Sequence, residues 1–369
     1  MRDSSARIAS LDGLRGVSIL LVVLGHLAGT QGFPFNQAQV HANFIATLGV
    51  RVFFVISGYL ITRLLLIEQQ SAGSIRLGTF YFRRIFRILV PYYAFLAAVV
   101  IGARLGWLEL APGDLGYALT YISNYHLSTG WNLAHTWSLA VEEQFYLIWP
   151  AILVLLGVRR AMWVAAVYLA TAPFGRLFVW YFQPALRDGI GHTFGTCADS
   201  IAAGCLLAGM GDWLWKNPRY RALLQSAWFF LVPVAVVATG VVDERPRMAF
   251  TIGALVVNLG VAIVVDRCLR MPWRRATRLL SAPPVVAVGR ISYSIYLWQQ
   301  LFLNRTAPAW ATAFPRNLAL VALAGTASYY LIEKTSLSAR VVLQQKLQRV
   351  LSLHRRAGEP MPPPKRAAA

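Results

Sequence analysis

RIASLDGLRGVSILLVVLGH, residues Arg7 to His26, sets a charged cluster against an apolar run that ends on a histidine. Arg15 and His26 are eleven residues apart, about 16 Å along a helix at 1.5 Å per residue. With Arg15 at the membrane surface, His26 falls near the middle of a hydrocarbon layer roughly 30 Å thick. An ionisable group is costly at that depth and marks a functional site by default.

The rest of the chain supports a membrane reading. Hydrophobic residues make up 57% of its 369 residues, and the mean hydropathy is +0.52. Several apolar runs reach the roughly 18 to 25 residues of a spanning helix, and the length suffices for about ten. Motif residues precede the first run and no small-residue cleavage site follows it, so it reads as a retained helix and not a signal peptide. The cysteines, Cys197, Cys205 and Cys268, are odd in number and lie in or beside apolar runs. They suggest neither a disulfide framework nor a metal site. A net charge of +20 would suggest nucleic acid in a soluble protein. Here it is the expected excess of Lys and Arg in cytoplasmic loops, and no nucleic-acid partner is expected.

Spans are expected at about 14–31, 45–66, 88–106, 137–157, 161–181, 194–211, 223–241, 248–266, 283–303 and 316–333. Placing the N-terminus inside gathers most of the 35 basic residues into inside segments, which puts both termini in the cytoplasm. A single crossing by the weaker stretch 107–136 would reverse every later loop. That stretch is therefore expected to be extracytoplasmic or re-entrant, and able to line a cavity. The fold class is an all-α, polytopic membrane helix bundle of about ten transmembrane helices, with eleven as the alternative.

Two basic amphipathic pieces stand apart from these spans. Residues 74–89 mix aromatics with Arg83, Arg84 and Arg87. Residues 337–356 place Leu343, Leu347, Val350 and Leu351 at helical spacing among Lys346, Arg349, Arg355 and Arg356, as in a helix lying on anionic lipid. The expected units are a transmembrane domain over 1–335, a basic cytoplasmic helix over 336–356 and a disordered tail over 357–369. No inverted repeat of the transporter kind is visible.

Each candidate residue has a plain and a chemical reading. His26 is either a histidine hydrogen-bonded between helices or a neutral imidazole acting as general base; a covalent acyl-imidazole is also open. Asp12 and Arg15, at i and i+3, either pair on one helix face or present Arg15 to an anionic substrate suited to its planar guanidinium. Arg83, Arg84 and Arg87 form an RRxxR cluster with Arg83 and Arg87 on one face. It serves as a positive-inside anchor, as a holder of nucleotide phosphates, or as both.

His135 to Pro150, HTWSLAVEEQFYLIWP, is the strongest second feature. Glu142 and Glu143 sit one to two turns inside an apolar span, and adjacent acids point in different directions on a helix. At most one is expected to face the cavity of His26. It would serve as an interhelical partner, to orient or protonate the imidazole, or to bind the acceptor. Asp199, paired with Arg176 or Arg290, reads as structural. Ser57-Gly58 in mid-span reads as close helix packing, since the strand–turn–helix context of a nucleophile elbow is missing. The sequence contains no Walker motif, HExxH or cysteine pair.

Taken together, the chain resembles the acyltransferase 3 family of bacterial membrane O-acyltransferases. The matching pieces are RIASLDGLRGVSILLVVLGH, GVRVFFVISGYLIT, FYFRRIFRILVPYY, HTWSLAVEEQFYLIWP, GRISYSIYLWQQ and SYYLIEK, in the family's order from residue 7 to about 335. The resemblance implies transfer of an acyl group, commonly acetyl from cytoplasmic acetyl-CoA as co-substrate, to a hydroxyl of a carbohydrate or glycolipid acceptor. It implies no bound cofactor and a bacterial cytoplasmic (inner) membrane location. His26 becomes the catalytic histidine, with Arg15 its essential neighbour and Glu142 the motif acid. Arg83, Arg84 and Arg87 become the contacts to CoA, with Asp12, Glu143, Tyr146 and Trp137 as supporting residues.

Two positions depart from the family pattern. Gln299 stands where many relatives have histidine, so no acid–base role is assigned to it, and Glu333 to Thr335 reads EKT where ERP is commoner. The stand-alone form, without the hydrolase-like domain some relatives append, is expected. Competing expectations are acylation of a lipid or a macrolide-type natural product. From a different class comes a transporter or flippase for a glycan or acylated substrate, which needs the charged cavity but no base.

Overall fold

The computed structural model describes residues 9–35, 41–242, 245–272, 274–305, 307 and 309–357. Among these residues all regular structure is helical. In chain order the main helices are α1 (Ala9–Leu27), α2 (Ala42–Ala72), α3 (Leu77–Arg104), α4 (Thr136–Phe182), α5 (Asp199–Lys216), α6 (Pro218–Gln225), α7 (Ala227–Val242), α8 (Pro246–Arg270), α9 (Pro283–Arg290), α10 (Ser292–Phe302), α11 (Arg316–Ser328) and α12 (Lys334–Ala357). Five stretches are long and apolar enough to cross a membrane: α1, α2, α3, α4 with its lead-in from Trp131, and α8. The bent pair α6–α7, broken by 77°, adds a sixth if it is one span.

The distribution of side chains is that of a membrane protein. Leu155, Leu331, Leu323 and Ile252 are 79%, 73%, 68% and 66% exposed, whereas Ser200, Asn258, Gln299 and Asn317 are 0% exposed. Apolar groups face out and polar groups face in, so the exterior requires lipid as its solvent. The chain is an integral membrane protein.

Local chemistry sets the breaks. Gly157 has φ 73° and ψ 164°, a conformation open to glycine and strained for other residues. It divides α4 where the sequence places the boundary between two spans. The segment 74–89 is not a separate surface piece but the start of α3. Its Phe80 and Ile88 are buried, and the helix passes through a π turn at Ile85–Leu89 into the apolar part. Pro91 follows that turn. It cannot donate to the carbonyl four residues back, and a π turn relieves the resulting clash.

The stretch 107–136 contains only the short helices Asp114–Leu119 and Trp131–Ala134 and a turn at Ser123–Tyr125, none long enough to cross a membrane. Asp114 ties it together by accepting from the backbone N–H groups of Ala111 and Gly130 at 2.8 and 3.1 Å. At the other end of the chain, a π turn at Tyr329–Glu333 runs without interruption into α12. The backbone is therefore helical across positions 335 and 336. The side chains of 347–357 and all of 358–369, including most of the expected tail, lie outside the described residues.

The core centres on α1 and α2. A Cβ on Gly58 would lie 2.1 Å from the Ile201 carbonyl oxygen, and one on Gly204 would lie 2.0 Å from that of Val55. These glycines let α2 and α5 touch backbone to backbone, as the reading of Ser57-Gly58 anticipates. Arg176 Nη1 and Asp199 Oδ2 pair at 2.9 Å, each 1% exposed. Asn258 Nδ2 donates to the same carboxylate oxygen at 2.8 Å, which joins α4, α5 and α8.

Candidate active site

A cavity of about 980 Å³ opens among α1, α2, α3, α4, α9, α10 and the first turns of α12. Eight arginines and four carboxylates line it. On α1 only Leu11, Asp12 and Arg15 reach it. Arg15 donates from Nη2 and Nε to Ser292 Oγ at 3.2 and 3.4 Å, while Asp12 Oδ2 faces Arg290 Nε at 3.9 Å. The Asp12–Arg15 pair on one helix face is therefore not formed. The start of α10 brings a buried hydroxyl within reach of Arg15, and the longer side chain crosses to it.

Arg83, Arg84 and Arg87 all line this cavity. The sequence places only Arg83 and Arg87 on one face; the π turn and the enclosing helices admit Arg84 as well. Arg83 pairs with Glu68 at 3.3 Å. The Arg84 guanidinium carbon lies 4.8 Å from the Tyr146 ring centroid and 5.4 Å from that of Phe80, within cation–π range. The Tyr146 hydroxyl bonds to Ser57 Oγ at 2.6 Å and donates to Glu142 Oε2 at 3.3 Å. Glu142 lines the cavity and Glu143 does not, as adjacent helical positions require. Trp137 also lies off the cavity, edge-on to Phe54 at 6.0 Å and to His192 at 4.7 Å.

His26 is not among the lining residues. Its Nδ1 lies 2.8 Å from Gln299 Oε1. An amide oxygen only accepts, so Nδ1 is the donor, and in the neutral ring Nε2 then keeps its lone pair. The edge of Trp131 meets the imidazole at 5.7 Å. Trp131 is in turn fixed to Gln300, donating from Nε1 to its carbonyl at 2.8 Å and accepting from its Nε2 at 2.6 Å. The non-crossing stretch 107–136 thus forms one wall around the histidine.

Tyr296 is on the same helix as Gln299, the hydrogen-bond partner of His26. It lines the cavity, lies one turn before Gln299 on α10, and hydrogen-bonds to Ser138 and to the His135 carbonyl. The His135 ring packs edge-on to Tyr296 at 5.5 Å, with Nε2 against the Leu297 carbonyl at 3.0 Å. The fold thus brings Arg15, Glu142, Tyr146 and the basic cluster into one chamber, while His26, eleven residues further along α1 than Arg15, does not line it.

Sequence reading missed Gln299, Ser292 and Tyr296 as site residues. Their spacing of i, i+4 and i+7 is one helix face, and that pattern was available. Ser57 and Arg340 carry no comparable signal. Glu333, from the EKT variant motif, lines the cavity and accepts from Ser294 Oγ at 2.8 Å.

Comparison with known proteins adds to this geometry. A family model described as an acyltransferase domain matches residues 8–332. The peptidoglycan O-acetyltransferase OatA of Listeria monocytogenes serovar 1/2a is 27% identical over 344 residues, covering 83% of this chain and 51% of the relative. A Bacillus subtilis strain 168 protein named "Putative peptidoglycan O-acetyltransferase YrhL" is 29% identical over 359 residues, covering 89% of this chain and 54% of the relative. The chain spans about half the length of these curated relatives. No solved structure matches it.

Proposed function

The chain belongs to the acyltransferase-domain family, and from that premise we propose that it is an O-acetyltransferase of the bacterial cytoplasmic membrane. In this reading it moves acetyl from acetyl-CoA to a hydroxyl of a cell-wall carbohydrate. The observation that supports it most is a histidine held at Nδ1 by Gln299, on the same helix as the Arg15 that lines an arginine-rich cavity. Guanidinium groups suit the phosphates of CoA, and the orientation expected from the basic residues, with the N-terminus inside, would turn that chamber to the cytoplasm. The acceptor class follows the names of the relatives.

In this mechanism His26 Nε2 takes the proton of the acceptor hydroxyl as its oxygen attacks the thioester carbonyl. Collapse of the tetrahedral intermediate breaks the C–S bond, and the imidazolium returns the proton to the CoA thiolate. Gln299 holds the ring through Nδ1–H, a bond that strengthens while the ring is charged. Glu142 and Arg15 shape the chamber.

The test is acetyl transfer from labelled acetyl-CoA to a peptidoglycan fragment by protein reconstituted in liposomes. His26→Ala should lower the rate by about a hundredfold or more. Undiminished transfer by that variant would remove His26 as the base.

A further inference from the structure

Helix α12 begins beyond the matched family domain, whose last residue is 332, yet its first turns belong to the cavity. Ser336 Oγ donates to the Phe86 carbonyl at 2.6 Å, pinning α12 to the π turn of the basic segment. The next residue, Leu337, and Arg340, one turn on, line the same chamber as Arg83 and Arg87. Arg340 Nε is buried without a hydrogen-bond partner. Burial, and then the neighbouring Arg83 and Arg87, push the Arg340 guanidinium below its ordinary value. Arg83 is already paired with Glu68, but Arg87 and Arg340 add positive charge to the same wall, which a multivalent anion would offset.

We infer that Arg340 completes, with Arg83 and Arg87, a receptor for the phosphate groups of a nucleotide thioester donor, making α12 part of the donor site. The inference rests on the acyl-CoA reading and extends it to a residue outside the family domain. A phosphate could also come from an anionic lipid headgroup. The enclosure of Arg340 in the chamber that holds Arg15 and Glu142 favours the nucleotide.

The experiment is calorimetric titration of the full-length protein with CoA, in nanodiscs of phosphatidylcholine alone and with added phosphatidylglycerol. Arg340→Gln should weaken CoA binding about tenfold or more, with or without the anionic lipid. Arg340→Lys, which keeps the charge and loses the planar fork, should fall between. Equal CoA affinity in wild type and both variants, at unchanged melting temperature, overturns the inference and leaves the donor reading standing. So does displacement of CoA by phosphatidylglycerol in wild type but not in Arg340→Gln, which would mark a headgroup site. Failure of wild type to bind CoA overturns the donor reading and this inference with it.

Discussion

Replacing Gln299 by leucine tests the role assigned to His26 at its only described hydrogen bond. Gln299 is 0% exposed, and its Oε1 accepts from His26 Nδ1 at 2.8 Å. Leucine is close in size and offers no acceptor. In the resting enzyme the variant leaves one imidazole N–H unpaired but also removes Gln299 Nε2, which is buried without a partner. These two changes offset each other, so the melting temperature should move little. In the transition state the ring carries positive charge, and a hydrogen bond to a charged group contributes about 1.5–3 kcal/mol. Losing it there lowers kcat by roughly 10- to 150-fold. Gln299 does not line the arginine chamber, so KM for acetyl-CoA should stay within about twofold, set by the chamber contacts it leaves untouched. Initial rates of acetyl transfer across a donor titration separate the two constants. An unchanged kcat in a folded Gln299→Leu protein would refute the tautomer and positioning role. A raised KM with unchanged kcat would place Gln299 in donor binding instead.

Two further outcomes concern stability. Asp199→Ala strands Arg176, 1% exposed, without its carboxylate and should destabilise the fold by about 3–5 kcal/mol. Asp199→Asn keeps an acceptor and should cost less, both measured by thermal unfolding in detergent. Gly58→Ala puts a Cβ 2.1 Å from the Ile201 carbonyl oxygen, which forces α2 and α5 apart at about 1–3 kcal/mol. A melting temperature equal to that of wild type would mean the two helices are not held at this contact.

Particular residues show how far sequence carried. Glu142 and Glu143 could be separated in advance because adjacent helical side chains diverge by about 100°, and only Glu142 lines the chamber. The same rule read Arg83 and Arg87 as a pair but had no means to admit Arg84. Its inclusion depends on the π turn and on the enclosing helices. Asp12 and Arg15 looked like a local pair, yet each found its partner on the chain's far side, at Arg290 and Ser292. Residues 337–356 looked like a lipid-surface element because their amphipathic spacing fits that role; Ser336, just before them, packs on the basic segment, and Leu337 and Arg340 line the chamber.

By itself the sequence determined that this is an all-helical membrane protein. It also singled out Arg15, Glu142, Arg83, Arg84 and Arg87, which line one chamber, because lipid demands long apolar runs and makes charges within or beside them conspicuous. Six motifs in order carried the family resemblance. Only the tertiary structure decided who meets whom. Gln299 reaches His26 across 273 positions and Ser292 reaches Arg15 across 277. Such contacts depend on which helix faces pack together. Hydrophobic period and charge count locate each helix and its depth, but in lipid they leave rotation and neighbours to small-residue contacts and buried hydrogen bonds.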